Sequence, residues 1–494
     1  MCNAMVPLYV IPLFGYASLR SLITVAYFVL VLSTVGVIIH EKRDPVRALG
    51  WIAMISLLPV AGIVFYVFFG RNHRKEKIFN RKELHDVEQL DALCLRQQNA
   101  LGNAHMLQQG ISDNRDIIML LLNSNKAPLT MHNRVKVLRN GRETFSAIME
   151  AIREARSSIH LEYYIFEYDR IGRKIVRLLC EKARSGVEVR LIYDDVGSWH
   201  LKRRHVEKMR RAGVDVRCFM PVLMPYLTSK LNYRNHRKIV VTDGRTAFTG
   251  GINIADRYLT GNRLGKWRDT HLRVEGEAVA MLQAVFVTDW YFVSDKELLH
   301  SDKYFPKSRI ADVFPMQIAS SGPDSDWASI MQAFFAAISK AQKYIYISSP
   351  YFVPNQAVLT ALKVAALSGI DVKVMIPARS DSKLVYWATR SYIGELLEAG
   401  ISVCLYTGGF NHSKVIVIDD SFSSVGTANM DMRSFEDNFE VSAIMYDRSV
   451  ACTLRDMFLA DLEKCTCLTP EVWEGRPAVK SAYESLARLL SPLL

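Results

Sequence analysis

The stretches NHRKIVVTDG (residues 235–244) and NHSKVIVIDD (411–420) place histidine, lysine and aspartate at the same offsets. His236, Lys238 and Asp243 of the first are matched by His412, Lys414 and Asp419 of the second. Both runs are β-branched and close on turn residues, Asp-Gly and Asp-Asp, so each reads as a strand ending in a turn. Residues i and i+2 of a strand face the same way, so each histidine projects together with its lysine. The aspartate falls at an odd offset from the histidine and cannot join that pair. Asp243 and Asp419 are therefore expected to brace the turn and balance charge.

The surrounding sequence is duplicated as well. ARSSIHLEYYIFEYD (155–169) parallels AQKYIYISSPYFVPN (341–355), SGVEVRLIYD (185–194) parallels SGIDVKVMIP (368–377), and AGVDVRCF (212–219) parallels AGISVCLY (399–406). Each β-branched run follows a helix-like segment ending in glycine, the order of an α/β fold. A unit this long is a duplicated domain rather than a solenoid repeat. The expected boundaries are 135–310 for the first domain and 311–494 for the second, which ends in a helix.

Beyond each aspartate comes a glycine-rich strand end: Gly250, Gly251 and Asn253 in TGGIN, Gly426 and Asn429 in VGTAN. Glycine there lets backbone come close to a bound group, and the asparagine amide can donate to a phosphoryl oxygen. An acid follows each copy, Asp269 in KWRDTH and Glu440 in EDNFE. A carboxylate on one imidazole nitrogen fixes the tautomer and leaves the other nitrogen free to attack. One His-x-Lys strand would pass for an exposed polar edge; two with shared Asp, Gly and Asn offsets do not. Zinc fits poorly, because each histidine sits beside a repelling lysine and lacks a second local ligand. Asp194 and Asp195 could hold a divalent ion, though a cap or loop role suits them better.

With 494 residues, 50% of them hydrophobic, and a formal charge of +12, the chain has room for several domains and favours an anionic partner. Charge alone cannot choose between nucleic acid and anionic lipid; the N-terminus points to lipid. The uncharged runs 21–39 and 48–70 are each long enough to span a ~30 Å hydrocarbon core as a helix. Residues 1–20, with two prolines in VPLYVIPLFGY, are expected at the interface. A cleaved leader is a poor match for the first run, which lacks a basic start and a small-residue cleavage site. The basic flank after the second run (Arg71, Arg74, Lys75, Lys77, Arg81, Lys82) outweighs the short connection (Lys42, Arg43, Arg47), which places the large catalytic part in the cytoplasm. Residues 71–134 read as a helical connector with an apolar patch, IIMLLL (117–122). The eight cysteines lack framework spacing and are expected to be reduced.

The paired H-x-K-x4-D-x6-G-[GT]-x-N pattern resembles the phospholipase D superfamily. The two N-terminal runs, SSPYFVPN (348–355), GTANMDMRSFEDNFE (426–440) and the SPLL end make the chain similar to bacterial cardiolipin synthases. That resemblance implies two phospholipase D-like α/β domains related by a pseudo-two-fold axis behind a transmembrane hairpin, in a bacterial cell membrane. It implies transfer of a phosphatidyl group between two phosphatidylglycerol molecules, giving cardiolipin and glycerol, with neither metal nor cofactor and without nucleic acid. It also implies His236 as nucleophile and His412 as general acid/base, although the internal symmetry allows the reverse. A phospholipase D-type hydrolase would use the same residues with water as acceptor. A lipid-binding scaffold would have no need of paired histidines. Two further stretches invite a role. The first copy carries extra residues before His236 (CFMPVLMPYLTSKLNYR), either an ordinary loop or an interfacial element. The terminal helix aligns Val479, Tyr483, Leu486 and Leu490 on a stripe expected to pack in the core, with membrane contact as the second reading.

Overall fold

The computed structural model describes residues 11–40, 45–58, 62–63, 65–66, 93–99, 109–222, 233–298 and 302–491. It divides into two compact units, Met1–His73 with Met224–Ser229, and Arg74–Leu223 with Lys230–Leu494.

In the first unit, helices Ile11–His40 and Pro45–Leu57 pack through Ile38 and Ile55, which with Tyr66 form a small apolar cluster. Residues 11–20, expected as a separate interfacial segment, continue into the first long helix; residues 1–10 lie outside the described residues. The second expected run is not one helix. It stops at Leu57, two residues before Pro59, which has no N–H to continue the ladder and disfavours helix just before it. Among the described residues no helix is long and apolar enough to cross a membrane.

The second unit is built on duplicated strands. The first half supplies β1 (Thr130–Arg139), β2 (Ser158–Tyr163), β3 (Glu188–Asp194), β4 (Asp215–Phe219), β5 (Lys238–Thr242), β6 (Thr246–Gly250), β7 (Trp267–Arg268) and β8 (Thr270–Gly276). The second supplies β9 (Val313–Ser321), β10 (Tyr344–Ser348), β11 (Phe352–Val353), β12 (Asp371–Pro377), β13 (Ser402–Tyr406), β14 (Phe410–Asn411), β15 (Val415–Ile418), β16 (Phe422–Gly426), β17 (Met430–Asp431), β18 (Glu440–Met445) and β19 (Cys465–Cys467). Fifteen strands form one sheet in the order β19-β13-β12-β10-β15-β16-β18-β9-β1-β8-β6-β5-β2-β3-β4. Read outward from the central β9–β1 pair, the two sides repeat strand for strand, with β19 added at one edge. The outer strands β2, β3 and β4 run parallel, as do β10, β12 and β13, joined by crossover helices such as Arg170–Arg184 and Gln356–Leu367. The duplication is therefore α/β, as expected, but its halves share one sheet and belong to one compact unit rather than two.

Several expectations are corrected here. The first half opens at Thr130, inside the expected connector. The connector's apolar patch lies on helix Arg115–Asn125, whose Ile117, Ile118, Leu121 and Leu122 join the core of the second half. Cys404 and Cys467 face each other across the antiparallel β13–β19 pair and are joined by a disulfide, so the cysteines are not all reduced. The C-terminal stripe turns outward: Val479, Tyr483, Leu486 and Leu490 are exposed on helix Ala478–Leu489. The face that docks instead buries Glu484, held by Arg476 at 2.9 Å. Toward the neighbouring helices, Glu484 lies 3.7 Å from Arg390 and Arg488 pairs with Glu395 at 2.5 Å. Most of the extra stretch before His236, residues 223–232, lies outside the described residues.

Candidate active site

His236 and Lys238 sit where the chain enters β5; His412 and Lys414 occupy the equivalent entry to β15. The i, i+2 geometry puts each lysine against its own histidine, and each ammonium donates to that histidine's carbonyl, at 2.8 Å for Lys414 and His412. All four side chains are buried. The residue between each pair alternates to the other side. Arg237 donates to Asp289 and to the Glu440 carbonyl, and Ser413 lies 3.3 Å from the Arg268 guanidinium.

The acids pair across the halves. His236 Nδ1 meets both carboxylate oxygens of Glu440, at 2.9 and 3.0 Å, and His412 Nδ1 meets Asp269 at 2.8 Å. Neither histidine uses the acid of its own copy, a pairing that the sequence left open. The backbone dictates the crossing. The His236 amide donates to the Phe439 carbonyl and the His412 amide to the Arg268 carbonyl, while β14 runs parallel to β7. Each histidine is thus laid beside the residue preceding the other half's acid. Thr427 donates its hydroxyl to Glu440, orienting it in turn.

Burial governs the electrostatics. Desolvation pushes His236 down to about 4 despite the Glu440 carboxylate, and holds His412 well below its usual range, helped by Lys414. Both imidazoles are neutral at pH 7. Burial also lowers Lys238 to about 7 and Lys414 to about 8. The two acids diverge. Burial raises Asp269 to about 6, whereas for Glu440 the burial cost is outweighed, chiefly by His236 and Lys238, and its carboxyl is held below the usual range. Two carboxylates pushed apart in this way suit different tasks. Glu440 stays ionised and clamps a neutral His236. Asp269 can share a proton with His412.

The other candidate residues have structural partners. Asp243 accepts from the amides of Arg156, Ser157 and Ser158 at 2.7–2.9 Å, and Asp419 from those of Gln342, Lys343 and Tyr344 at 2.6–2.9 Å. They tie the far end of β5 and β15 to the start of β2 and β10. The glycines admit protein rather than ligand: a Cβ on Gly251 would lie 2.1 Å from an Asp269 oxygen, on Gly250 2.6 Å from the Thr270 carbonyl, and on Gly426 2.4 Å from the Ser442 hydroxyl. Asn253 donates to the Tyr258 hydroxyl at 2.8 Å and accepts from the Ile165 amide, so its amide is engaged within the fold. Asn429 Oδ1 is buried without a hydrogen-bond partner; being an acceptor it cannot serve a phosphoryl oxygen, a contact that would fall to Nδ2. Asp194 accepts from the Val196, Gly197 and Asn235 amides, and Asp195 from the Val222 amide; both are loop braces.

Aromatic rings complete the site, and spacing alone did not single them out. Tyr164 stands edge-on to His236, its centroid 5.0 Å away, with the Lys238 ammonium 5.6 Å over its ring. Trp267 and Tyr258 lie 5.3 and 5.8 Å from the His412 ring. The aromatic run EYYIFEY was the available signal for Tyr164; Tyr258 and Trp267 lie outside any such run.

Two neutral histidines, each clamped by a carboxylate and flanked by a lysine, define a two-histidine phosphodiester-transfer site on a duplicated α/β fold. The family model described as "Cardiolipin synthase, PLD-like domain" matches residues 148–290 and 334–462, and one described as "Phospholipase D-nuclease N-terminal" matches 25–71. A cardiolipin synthase of Geobacillus sp. (strain WCH70) is 43% identical over 461 residues, covering 93% of this chain and 91% of its own. The major cardiolipin synthase ClsA of Bacillus subtilis is 40% identical over 494 residues, covering 97% and 100%. The crystal structure of a phosphatidylserine synthase from Haemophilus influenzae shares the fold, with a TM-score of 0.57 at 14% identity over 78% of this chain and 100% of that one. The chain belongs to the cardiolipin synthase family, on the phospholipase D-like fold.

Proposed function

We propose that this protein is a membrane phosphatidyltransferase that converts two phosphatidylglycerol molecules into cardiolipin and glycerol. The observation that carries the reading is the crossed pairing of His236 with Glu440 and His412 with Asp269 around two buried lysines. His236 Nε2 attacks phosphorus, the P–O bond to the glycerol headgroup breaks, and His412 gives that oxygen its proton. A second phosphatidylglycerol then yields its hydroxyl proton to His412 as its oxygen displaces His236, so the cycle balances without a redox step. Binding of a phosphodiester brings negative charge beside His412 and the lysines, which raises their pKa values. Lys238 and Lys414 then offset the charge redistributed at the phosphoryl oxygens.

We also propose that the helix Ile11–His40, which turns Leu22, Phe28 and Leu32 outward, anchors the chain in a bacterial cell membrane together with the run 48–70, with the catalytic unit in the cytoplasm. A disulfide between Cys404 and Cys467 would there have to withstand reducing thiols. A cysteine placed at exposed Ser185 decides the orientation: an impermeant maleimide should label it only after the membrane is opened, and labelling on intact cells would reverse the topology.

Incubating the purified chain in micelles with phosphatidylglycerol as sole lipid tests the activity. Cardiolipin with equimolar glycerol supports the transferase. Phosphatidic acid with glycerol would make it a hydrolase, and absence of turnover would overturn both.

A further inference from the structure

The turn after β3, residues 195–202, presents Trp199 to solvent at 68% exposure, an unusual position for the largest apolar side chain. Its neighbours Ser198 and Leu201 are buried, so the turn itself is anchored and only the ring stands out. Exposed Lys202, Arg203 and Arg204 follow at once. Arg203 and Arg204 open the helix Arg203–Arg211, and cations on a first turn oppose the helix dipole. The N-cap there, Lys202, makes no side-chain cap either. Arg203 pairs with Glu207 one turn on at 3.0 Å and Arg204 donates to His205, but such exposed contacts contribute little, and fold stability does not account for the exposed indole.

The turn is bolted to the catalytic centre. Ser198 donates to the Tyr164 carbonyl and accepts from the Phe166 amide, both at 2.9 Å, and Gly197 packs against the Tyr164 ring that stands on His236. On the other histidine's side, the loop joining Tyr258 to Trp267 carries exposed Leu259, Arg263 and Lys266, and both of those rings touch His412. Each histidine therefore has its own rigidly attached apolar-plus-basic element.

We infer that the Trp199 turn with Lys202, Arg203 and Arg204 is an interfacial docking element that seats the catalytic unit on an anionic lipid surface. An indole sits well at the headgroup level, and adjacent cations are attracted to a negative leaflet. Because Gly197 and Ser198 couple this turn to Tyr164, docking there fixes the height of His236 above the headgroups. The inference rests on the lipid-directed reading given above.

The test uses the full chain in bilayers of phosphatidylglycerol brominated near the headgroup, comparing tryptophan quenching in the wild type and Trp199→Phe. Trp199 is one of seven tryptophans, so its share is the difference between the two proteins. A larger quenched fraction in the wild type, shrinking when brominated phosphatidylcholine replaces the anionic lipid, is expected. Equal quenching in both proteins would overturn the inference and leave the turn as a surface for a soluble partner. Replacing Lys202, Arg203 and Arg204 with Gln should raise the apparent KM for micellar phosphatidylglycerol about fivefold or more with kcat retained; an unchanged KM would sink the electrostatic half of the inference. Quenching does not depend on turnover, so its failure is distinguishable from failure of the transferase reading.

Discussion

His236 and His412 carry the same side chain at equivalent strand entries, and the difference between them lies in the acids. Glu440, held ionised, keeps a proton on His236 Nδ1 and a lone pair on Nε2; Asp269, raised to about 6, can exchange a proton with His412. His412→Ala should therefore still attack a donor whose leaving group needs no proton, such as a p-nitrophenyl phosphodiester, and accumulate a phosphatidyl adduct on His236. Mass spectrometry after non-acidic denaturation locates it; an adduct on His412 in the His236→Ala protein would reverse the assignment. The lysines set the pH range. A lysine lowered to about 7 or 8 is charged below that value and loses its charge as pH rises through it, whereas Asp269 takes up a proton below about 6. kcat/KM, which reports the free enzyme, should peak between these values and fall on both sides. Lys238→Met or Lys414→Met should cost roughly 10²–10³ in turnover with the fold intact by circular dichroism. Near-normal rates in both would remove the electrostatic argument. The histidines and lysines were legible in the sequence because a period of two is local. Which acid serves which histidine was not, because that relation exists only once two distant strands lie side by side.

The elements around the site work by close approach. Gly251 gives its missing side chain to Asp269, whose carboxylate occupies the space a Cβ would take. Gly251→Ala should push that carboxylate off His412 and lower turnover by roughly 10²–10⁴, as should Asp269→Asn. Because both act through one contact, the double variant should be little worse than either single one; full additivity would mean the glycine matters for another reason. The sequence showed that glycine was needed there, but a glycine is silent about what approaches it, so protein was mistaken for ligand. Asn253 is also held within the fold, one proton of its amide going to Tyr258 across a turn. The terminal helix failed for a different reason. Its apolar stripe was read correctly as a stripe, but the face that docks is the one carrying buried Glu484 and Ala487.

At the scale of the whole molecule, the duplication was legible from matched segments, whereas the single shared sheet was not. The β1–β9 register, Thr130 opposite Met316 and His132 opposite Val313, joins the halves edge to edge, and no motif announces such a seam. Since each histidine depends on the other half's acid, residues 1–307 and 308–494 expressed separately should each be inactive. Co-expression should restore cardiolipin formation through the same seam, read by chromatography of extracted lipids. Activity in either fragment alone would show that the crossed pairs are dispensable.

The crossing also sets a timetable for synthesis. His236 and Glu440 are 204 residues apart, so a growing chain exposes its first histidine long before the matching carboxylate has left the ribosome. On the membrane anchoring proposed above, the chain in that interval is already beside the lipids it will later rearrange. Without Glu440 the imidazole has no fixed tautomer, and without β15 there is no second histidine to protonate a leaving group. The His236–Glu440 pair, and with it the complete site, therefore exists only when translation has nearly finished.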